Sequence, residues 1–370
     1  MFKTFIIIVA AVSFFCLAPL AQAQEETYRP GCFQPAPDNK ALIKYEAHKP
    51  PYKLAFVNGY SGNDWRMTTI RGIKAWAARP ENKAKYSEFR VVSVGNDSAA
   101  QIAAIDNYIA SGYDAIVFLA VNPSAFDAVI RRADQAGVVL VPYDNIVDSD
   151  KIVLINEDQF ELGRMKAQAV LDGIKAANNG EAKGRVLEVG GVAGSSVDRD
   201  NHEGMVSVFK NEPGIEFITM EGKWDAGTGQ KVTADALATY GNLAGLIVQE
   251  GAIGPLTALE NANHPVIPIG VDGGNGSRMI AVKKGYPGVS AAQAPVMSAV
   301  AMEAAIALLE GHTLPNKVFL PIPHKYLNEL VEGVDYFPNL PDTFYTTTGY
   351  PQCFPVFTPE EILNQNADDS

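Results

Sequence analysis

The sequence lacks the features that mark a metalloenzyme, a nucleic-acid-binding protein or a multi-spanning membrane protein. Its five histidines are scattered, and no Cys/His cluster has metal-ligand spacing. The net charge of −12 argues against a general nucleic-acid binder and against adhesion to anionic lipid. Beyond the N-terminus no apolar run is long enough to span a bilayer. The composition, with 47% hydrophobic and 19% charged residues, is typical of globular proteins. A length of 370 residues suits two domains.

Catalytic motifs are also missing. The stretch Gly59–Gly62 lacks the glycine spacing of a nucleophile elbow, and His202-Glu203 lacks the second histidine of a zinc helix. The loop 190–196 is glycine-rich but has no Lys-Ser/Thr ending and no acidic partner for a dinucleotide. We interpret it as a tight turn, with an anion site as the alternative. The sequence therefore predicts no catalytic group, no metal and no cofactor.

The N-terminus has the pattern of a secretory signal. Lys3 precedes an apolar core over 5–17, and Ala21-Gln22-Ala23 is a small-x-small cleavage site. The alternative is an uncleaved membrane anchor, but the apolar run is short for a span. Lipid attachment at Cys16 is disfavoured because bulky Phe14-Phe15 precedes it. We predict a signal peptide over 1–23, cleaved after Ala23, and a soluble exported protein.

Cysteine is scarce, with three in the whole chain. Removal of the signal leaves Cys32 and Cys353, each in a Pro-rich stretch near one end of the chain. An even pair in an oxidising compartment favours a disulfide, and two free thiols are the alternative. Residues 24–52 show no clear period, so we expect an irregular extension lying on the first domain.

From Lys53 onward, short apolar strands alternate with helical patterns. Such strands are typical of parallel sheets covered by helices, and repeated βα units predict a doubly wound α/β fold. The predicted first domain has strands at 53–57, 89–94, 115–120, 138–143 and 152–155, with helices at 64–78 (capped by Asn63 or Asp64), at 98–111 (capped by Ser98), and from Asn122-Pro123 to Gly137. After a helix over 160–177, the second domain has predicted strands at 185–189, 215–220, 245–248, 266–269 and 288–291, and helices at 197–210, 229–240, 254–262 and 277–284.

A helix over 296–309 is apolar almost all round, so we expect it to be buried against the first sheet. Two similar domains joined by several chain crossings form a hinged clamshell.

Polar and aromatic side chains recur where the predicted strands end. Ligands of open α/β sheets bind at the carboxyl ends of strands, so these side chains are candidates for one cleft. Carboxylates, amides and guanidinium groups supply the paired donors and acceptors that vicinal hydroxyls need, and indoles pack on apolar sugar faces. The candidates are Asn63, Trp65, Arg66, Asp144, Asn145, Arg199, Asn201, Trp224, Glu250, Asp272 and Gln293.

Structural explanations remain open for most of these candidates. The aspartates and asparagines could cap turns, the arginines could be solvated charges at helix starts, and Trp224 could belong to the core. Gln293 is harder to explain in this way, since a polar residue among small apolar ones needs a partner.

The chain resembles the type I periplasmic sugar-binding proteins, the ribose-binding-like group that serves ABC transporters. The similarity runs from about 53 to 320, and the tail beyond Lys325 is longer than usual. The residues that show this similarity are Asn122–Phe126, Ala136–Val138, Val141–Asp144, Asn156–Asp158, Leu162-Gly163, Gly190–Ser196, Glu203-Gly204, Gly270–Gly273 and Gln293.

The resemblance implies hinge crossings near Asn156, Ala292 and Pro321. It implies a first lobe of 53–156 plus 294–321 and a second lobe of 157–293 plus 322–370. Two positions depart from the group's pattern: Asn145 stands where arginine is frequent, and Glu250 replaces an asparagine. These departures put ribose itself in doubt.

The expected function is to bind a small neutral sugar or polyol between the lobes and deliver it to an ABC permease in the periplasm. The expected protein is a monomer with no enzymatic activity. Two alternatives stay open: a module that presents its ligand to a chemoreceptor or sensor kinase, and an enzyme that modifies sugars. A repressor of this fold class would need a helix-turn-helix where the signal peptide stands.

Overall fold

The computed structural model describes residues 30–350, 353–354 and 356–369. The predicted signal peptide over 1–23, its cleavage site after Ala23 and the first residues of the extension lie outside this range. No helix of the described residues is long and apolar enough to cross a bilayer.

The first lobe alternates strands and helices around a parallel sheet of order β3-β2-β4-β5. A single bridge between Tyr143 and Ile155 continues this sheet to β6, so that β6 lies beside β5. The elements are β1 (Leu42–Lys44), β2 (Tyr52–Asn58), α1 (Asp64–Ala78), α2 (Pro80–Lys83), β3 (Tyr86–Ser93), α3 (Ser98–Ala110), β4 (Ala115–Phe118), α4 (Asp127–Gln135), β5 (Val139–Pro142) and β6 (Leu154–Glu157). Every residue of β4 and β5 is buried, as the apolar pattern predicts for strands covered on both faces.

The second lobe repeats this plan. Its strands and helices are α5 (Gln159–Ala177), β7 (Gly184–Gly190), α6 (Ser196–Phe209), β8 (Ile215–Glu221), α7 (Ala226–Tyr240), β9 (Gly245–Val248), α8 (Ile253–Asn261), β10 (Ile269–Val271), α9 (Asn275–Lys284) and β11 (Gly288–Ala291). The strands β11, β10, β9, β7 and β8 lie side by side in this order, and all are parallel. The predicted fold class, two doubly wound parallel-sheet domains, is confirmed.

The chain then returns to the first lobe and crosses again. The remaining elements are α10 (Met297–Leu309), β12 (Thr313–Pro315), β13 (Lys317–Leu320), β14 (His324–Tyr326) and α11 (Pro359–Leu363). Every residue of α10 except Glu303 is buried, and α10 packs on β4, β5 and α1, which confirms its predicted place. β13 pairs in parallel with β6, and β14 pairs antiparallel with β11. The crossings between the lobes are therefore β6 to α5, β11 to α10, and β13 to β14.

Two predicted helix starts in the first lobe are wrong. Asn122-Pro123 does not begin a helix, because the Asn122 side chain accepts bonds from the backbone N–H and hydroxyl of Ser124 and holds a turn. The helix α4 begins at Asp127 instead. Asp97, not Ser98, is the N-cap of α3, since its carboxylate accepts from the two amides that follow Ser98.

A strand predicted over 266–269 is also misplaced, since β10 covers Ile269–Val271. Val266 is exposed, and Pro265 and Pro268 have no N–H to give to a ladder. The ladder therefore begins only after the second proline.

The N-terminal extension lies on the first lobe, as predicted, but it is not wholly irregular. Phe33 and Ala36 are buried, and the Ala36 N–H donates to the Lys317 carbonyl at 2.9 Å. The strand β1 pairs antiparallel with β12. The extension therefore adds to the first lobe a small two-stranded sheet that the sequence pattern did not reveal.

The C-terminal extension, which the sequence analysis places with the second lobe as part of 322–370, contacts both lobes. The Thr346 N–H donates to the Gly273 carbonyl of the second lobe at 3.0 Å. Two residues later, Thr348 exchanges hydrogen bonds with Phe357, which packs with Trp76 in the core of the first lobe. The helix α11 lies against α1.

A disulfide joins Cys32 to Cys353, with the two Cα atoms 5.3 Å apart. The predicted bridge is confirmed. It covalently links the two extensions on the surface of the first lobe.

We expect the double variant Cys32→Ser/Cys353→Ser to lose about 4 kcal/mol of unfolding free energy, because a loop of 321 residues is no longer closed in the unfolded chain. Urea unfolding of both proteins measures the difference. Equal unfolding midpoints, or two alkylatable thiols in the unreduced wild-type protein, would contradict a stabilising bridge.

Candidate functional site

The turn after β2 and the first turn of α1 form the first wall of a cavity between the lobes. Asn63 is the N-cap of α1, and its side-chain oxygen accepts from the Arg66 N–H at 2.8 Å. This cap fixes the start of the helix, so that Trp65 and Arg66 lie against the cavity. The Trp65 indole N–H donates to the Gln293 carbonyl at 3.1 Å.

Asp144 follows β5 and faces the same cavity. Its φ of 57° is left-handed, a conformation that aspartate tolerates better than most residues. Burial raises the pKa of Asp144 to about 6, and the nearby Arg66 guanidinium opposes this rise. Burial likewise lowers the pKa of Arg66, and Asp144 opposes that change. The neighbouring Asn145 amide donates to Asp144 Oδ2 at 2.8 Å, so the carboxyl is held between a charge and an amide.

Trp224, after β8, supplies the facing wall from the second lobe. A Cβ on Gly191 would lie 2.2 Å from the indole, so only glycine lets the ring lie there. The indole N–H donates to Gln249 Oε1 at 3.1 Å, which fixes the plane of the ring. The Trp224 carbonyl accepts from the Asn63 amide at 3.3 Å. This bond joins the two lobes, and the structure is therefore a closed state.

Glu250, after β9, is the acidic group of the second wall. The Tyr345 hydroxyl donates to Glu250 Oε2 at 2.7 Å. Burial, and next the charge of Asp272, raises the pKa of Glu250 well above its usual value, while the Tyr345 bond and Lys166 oppose the rise. The Glu250 carboxyl therefore keeps its proton to a higher pH than an exposed glutamate.

Gln293 lies at the second crossing and connects these groups. Its amide nitrogen donates to Asp144 Oδ1 at 2.6 Å and to Gln159 Oε1 at 3.1 Å. The Gln293 amide, which the sequence analysis expected to need a partner, therefore has one acceptor in each lobe. The cavity is lined by Asn63, Trp65, Arg66, Asp144, Asn145, Val197, Trp224, Glu250 and Gln293.

A sequence profile of the periplasmic binding protein domain matches residues 54–313, which is more than half of the chain. The chain belongs to the periplasmic binding protein family. Its two lobes and three crossings are those of the type I fold.

The relatives of this periplasmic binding protein carry names that concern sugars and polyols. It is 25% identical over 280 residues to the ribose import binding protein of Bacillus subtilis, covering 73% of this chain and 87% of that one. It is 23% identical over 236 residues to the xylitol-binding protein of Mycolicibacterium smegmatis, covering 62% of this chain and 66% of that one.

Solved structures share the fold. An ABC transporter solute binding protein from Thermobispora bispora superposes with a TM-score of 0.67 at 25% identity, covering 74% of this chain and 84% of that one. A solute binding protein from Mycobacterium smegmatis with bound glycerol superposes with a TM-score of 0.66 at 20% identity, covering 76% and 96%.

Arg199 and Asn201 of this binding protein, both predicted for the site, lie outside the cavity lining. Arg199 is more than half exposed and its guanidinium pairs with Asp200 at 2.7 Å. Asn201 is buried, and its amide donates to Gln159 Oε1 at 2.9 Å. Asn201 therefore orients a neighbour of Gln293 and does not itself line the cavity.

Asp272 also lies outside the lining, because both its oxygens bond the backbone. Oδ2 accepts from the Ala252 N–H at 2.7 Å and Oδ1 from the Gly274 N–H at 2.9 Å. This is the turn-capping role that the sequence left open as the alternative. Its charge still reaches the cavity by raising the pKa of Glu250.

Sequence reasoning missed Val197, Gln159 and Tyr345. Gln159 had a usable signal, since it is a polar residue directly after the first crossing, as Gln293 is at the second. Val197 and Tyr345 had none, because Val197 fits a helix pattern and Tyr345 lies in a tail without periodicity. No group of three or more metal-ligating side chains occurs within 30–350, 353–354 and 356–369.

The raised pKa of Asp144 predicts a pH dependence of stability. The folded protein holds the Asp144 proton up to about pH 6, whereas the unfolded chain releases it near 3.8. The contribution is therefore fully present below about pH 4 and is lost as the pH rises through 6. Between pH 4 and pH 7 the wild type should lose up to about 3 kcal/mol more unfolding free energy than Asp144→Asn, which lacks the titrating carboxyl. Urea unfolding at both pH values measures this, and equal losses in the two proteins would contradict it.

Proposed function

We propose that this protein closes on a small neutral sugar or polyol outside the cytoplasm and delivers it to an ABC permease. The observation that carries the proposal is the closed cavity, in which carboxyl, amide and guanidinium groups from both lobes stand beside two indoles. Each hydroxyl of a polyol both donates and accepts, which such a set satisfies from opposite sides. The indoles of Trp65 and Trp224 offer apolar faces to C–H groups.

The charges in the cavity favour a neutral ligand. The Arg66 guanidinium is balanced by the nearby Asp144, so it does not demand an anionic group. Burial raises the pKa of Glu250, which disfavours an isolated negative charge at this wall. The names of the relatives, which concern ribose and xylitol, agree with this chemistry.

Closure is the event that reports binding. The Asn63 amide bonds the Trp224 carbonyl only when the lobes meet, and a ligand that bonds both walls favours this state. Open and closed states display different lobe surfaces, which is how a permease distinguishes the loaded form. We expect a monomer in the periplasm, released from its signal peptide after Ala23.

We infer that the two lobes are joined by a hinge at the three chain crossings. The first comprises 53–156 with 294–321, and the second comprises 157–293 with the start of the C-terminal segment from 322. The Thr348–Phe357 pairing supports assigning the end of that segment to the first lobe.

A thermal-shift screen of sugars, polyols and sugar acids, with amino acids and nucleosides beside them, tests the ligand class. We expect a sugar or polyol to raise the melting temperature, because a compound at a hundred times its Kd adds about 2.7 kcal/mol of stability. Stabilisation by an amino acid or a nucleoside, with none by any carbohydrate, would refute the proposal.

Two arginine variants test the cavity itself. Arg66→Ala should weaken the binding of the stabilising carbohydrate on the order of a hundredfold, because it removes a half-buried donor in the cavity lining and leaves Asp144 without its counter-charge. Arg199→Ala is the matched control, since Arg199 is exposed and outside the lining, and it should leave the Kd unchanged. Isothermal titration of both variants gives the comparison. Equal effects of the two changes would place the site elsewhere.

A further inference from the structure

The C-terminal extension lies beyond the family match, which ends at residue 313, yet it packs behind the ligand cavity. Its approach depends on glycine: a Cβ on Gly273 would lie 2.8 Å from the Tyr345 ring, and one on Gly276 would lie 2.9 Å from Asp342. The Gly276 N–H donates to the Asp342 carbonyl at 3.0 Å. The extension is therefore seated on the loop after β10 by backbone contact.

Tyr345 brings a hydroxyl from this extension to a side chain that lines the cavity. The residue is 1% exposed. Its oxygen accepts from the Gly273 N–H at 3.2 Å and donates to Glu250 Oε2 at 2.7 Å. Because the Gly273 amide is fixed in the loop, the hydroxyl has one direction in which to donate.

Thr347 makes a second, separate contact with the site. Its hydroxyl donates to the Gln293 carbonyl at 3.4 Å, the same carbonyl that accepts from the Trp65 indole. Two residues of the extension thus contact two residues that line the cavity, Glu250 through its carboxyl and Gln293 through its backbone carbonyl.

We propose that the C-terminal extension is a working part of the ligand site, in which Tyr345 positions the Glu250 carboxyl to bond one hydroxyl of the bound sugar or polyol. With Oε2 occupied by Tyr345, the carboxyl is oriented and its other oxygen is left for the ligand. The charged groups that also act on Glu250 are Asp272, Lys166 and Asp64. This inference rests on the proposed function.

A double-mutant cycle tests the positioning role. Tyr345→Phe keeps the buried ring and removes only the hydroxyl, and we expect it to raise the Kd about tenfold. Tyr326→Phe is the control, since Tyr326 belongs to the same tail segment but is exposed on β14, and it should bind as the wild type does. In a Glu250→Ala background, Tyr345→Phe should add less than twofold, because the carboxyl it positions is gone.

The Kd of each variant is measured by calorimetry. The ligand is the compound from the panel of sugars, polyols, amino acids and nucleosides that stabilises the wild type. A wild-type Kd for Tyr345→Phe, or losses that simply multiply in the double variant, would overturn the proposal. If the compound that binds is an amino acid or a nucleoside, the proposed function is refuted. The role of Tyr345 is then tested with that compound. If Tyr345→Phe does not fold, Glu250→Ala serves instead, since it removes the carboxyl that Tyr345 positions and should raise the Kd. An unchanged Kd for Glu250→Ala would then overturn the proposal.

Discussion

The buried amide of Gln293 is the group on which the closed state depends. Its nitrogen needs two acceptors, and it finds one in Asp144 of the first lobe and one in Gln159 of the second. An unsatisfied buried amide costs about 1–3 kcal/mol, so the two lobes and the crossing must keep their relative positions for these bonds to persist. Its carbonyl accepts from the Trp65 indole, which adds the first wall to the same centre. Opening the lobes therefore requires water to replace these partners, and a ligand with hydroxyls competes for the same role.

Much of the fold and the site could be predicted because one rule governs both. Parallel strands bring their carboxyl ends to one edge, so polar residues that follow strands, such as Asn63, Asp144 and Glu250, converge without any knowledge of distances. The rule does not say which way a side chain turns. Asp272 follows a strand as the rule requires, yet both of its carboxylate oxygens accept from backbone amides. Arg199 points outward and pairs with Asp200. Side-chain direction depends on local donors that a sequence pattern does not contain.

The C-terminal extension marks the other limit of sequence reasoning. Its contacts with the cavity lining join residues between 54 and 95 positions apart, as with Thr347 and Gln293 or Tyr345 and Glu250, and the sequence of the extension has no periodicity that would indicate them. The only sequence hint was a pair of cysteines, which correctly joined the ends but gave no sign of the ligand cavity. Two helix starts were mispredicted for a related reason, since Asn122 and Asp97 act through side-chain hydrogen bonds to residues two or three positions further along the chain.

The tail also changes the mechanics of the hinge. Thr346 is bonded to the second lobe, Thr348 to the part of the tail that lies on the first, and Thr347 between them touches Gln293. The molecule therefore has a fourth connection, which runs beside the second crossing. The Ala294 N–H donates to Glu157 at the end of β6, and Leu320 of β13 is the neighbour of Glu157, so all four connections gather in one narrow band. Connections that lie side by side favour hinge bending of the two lobes about one common axis over twisting.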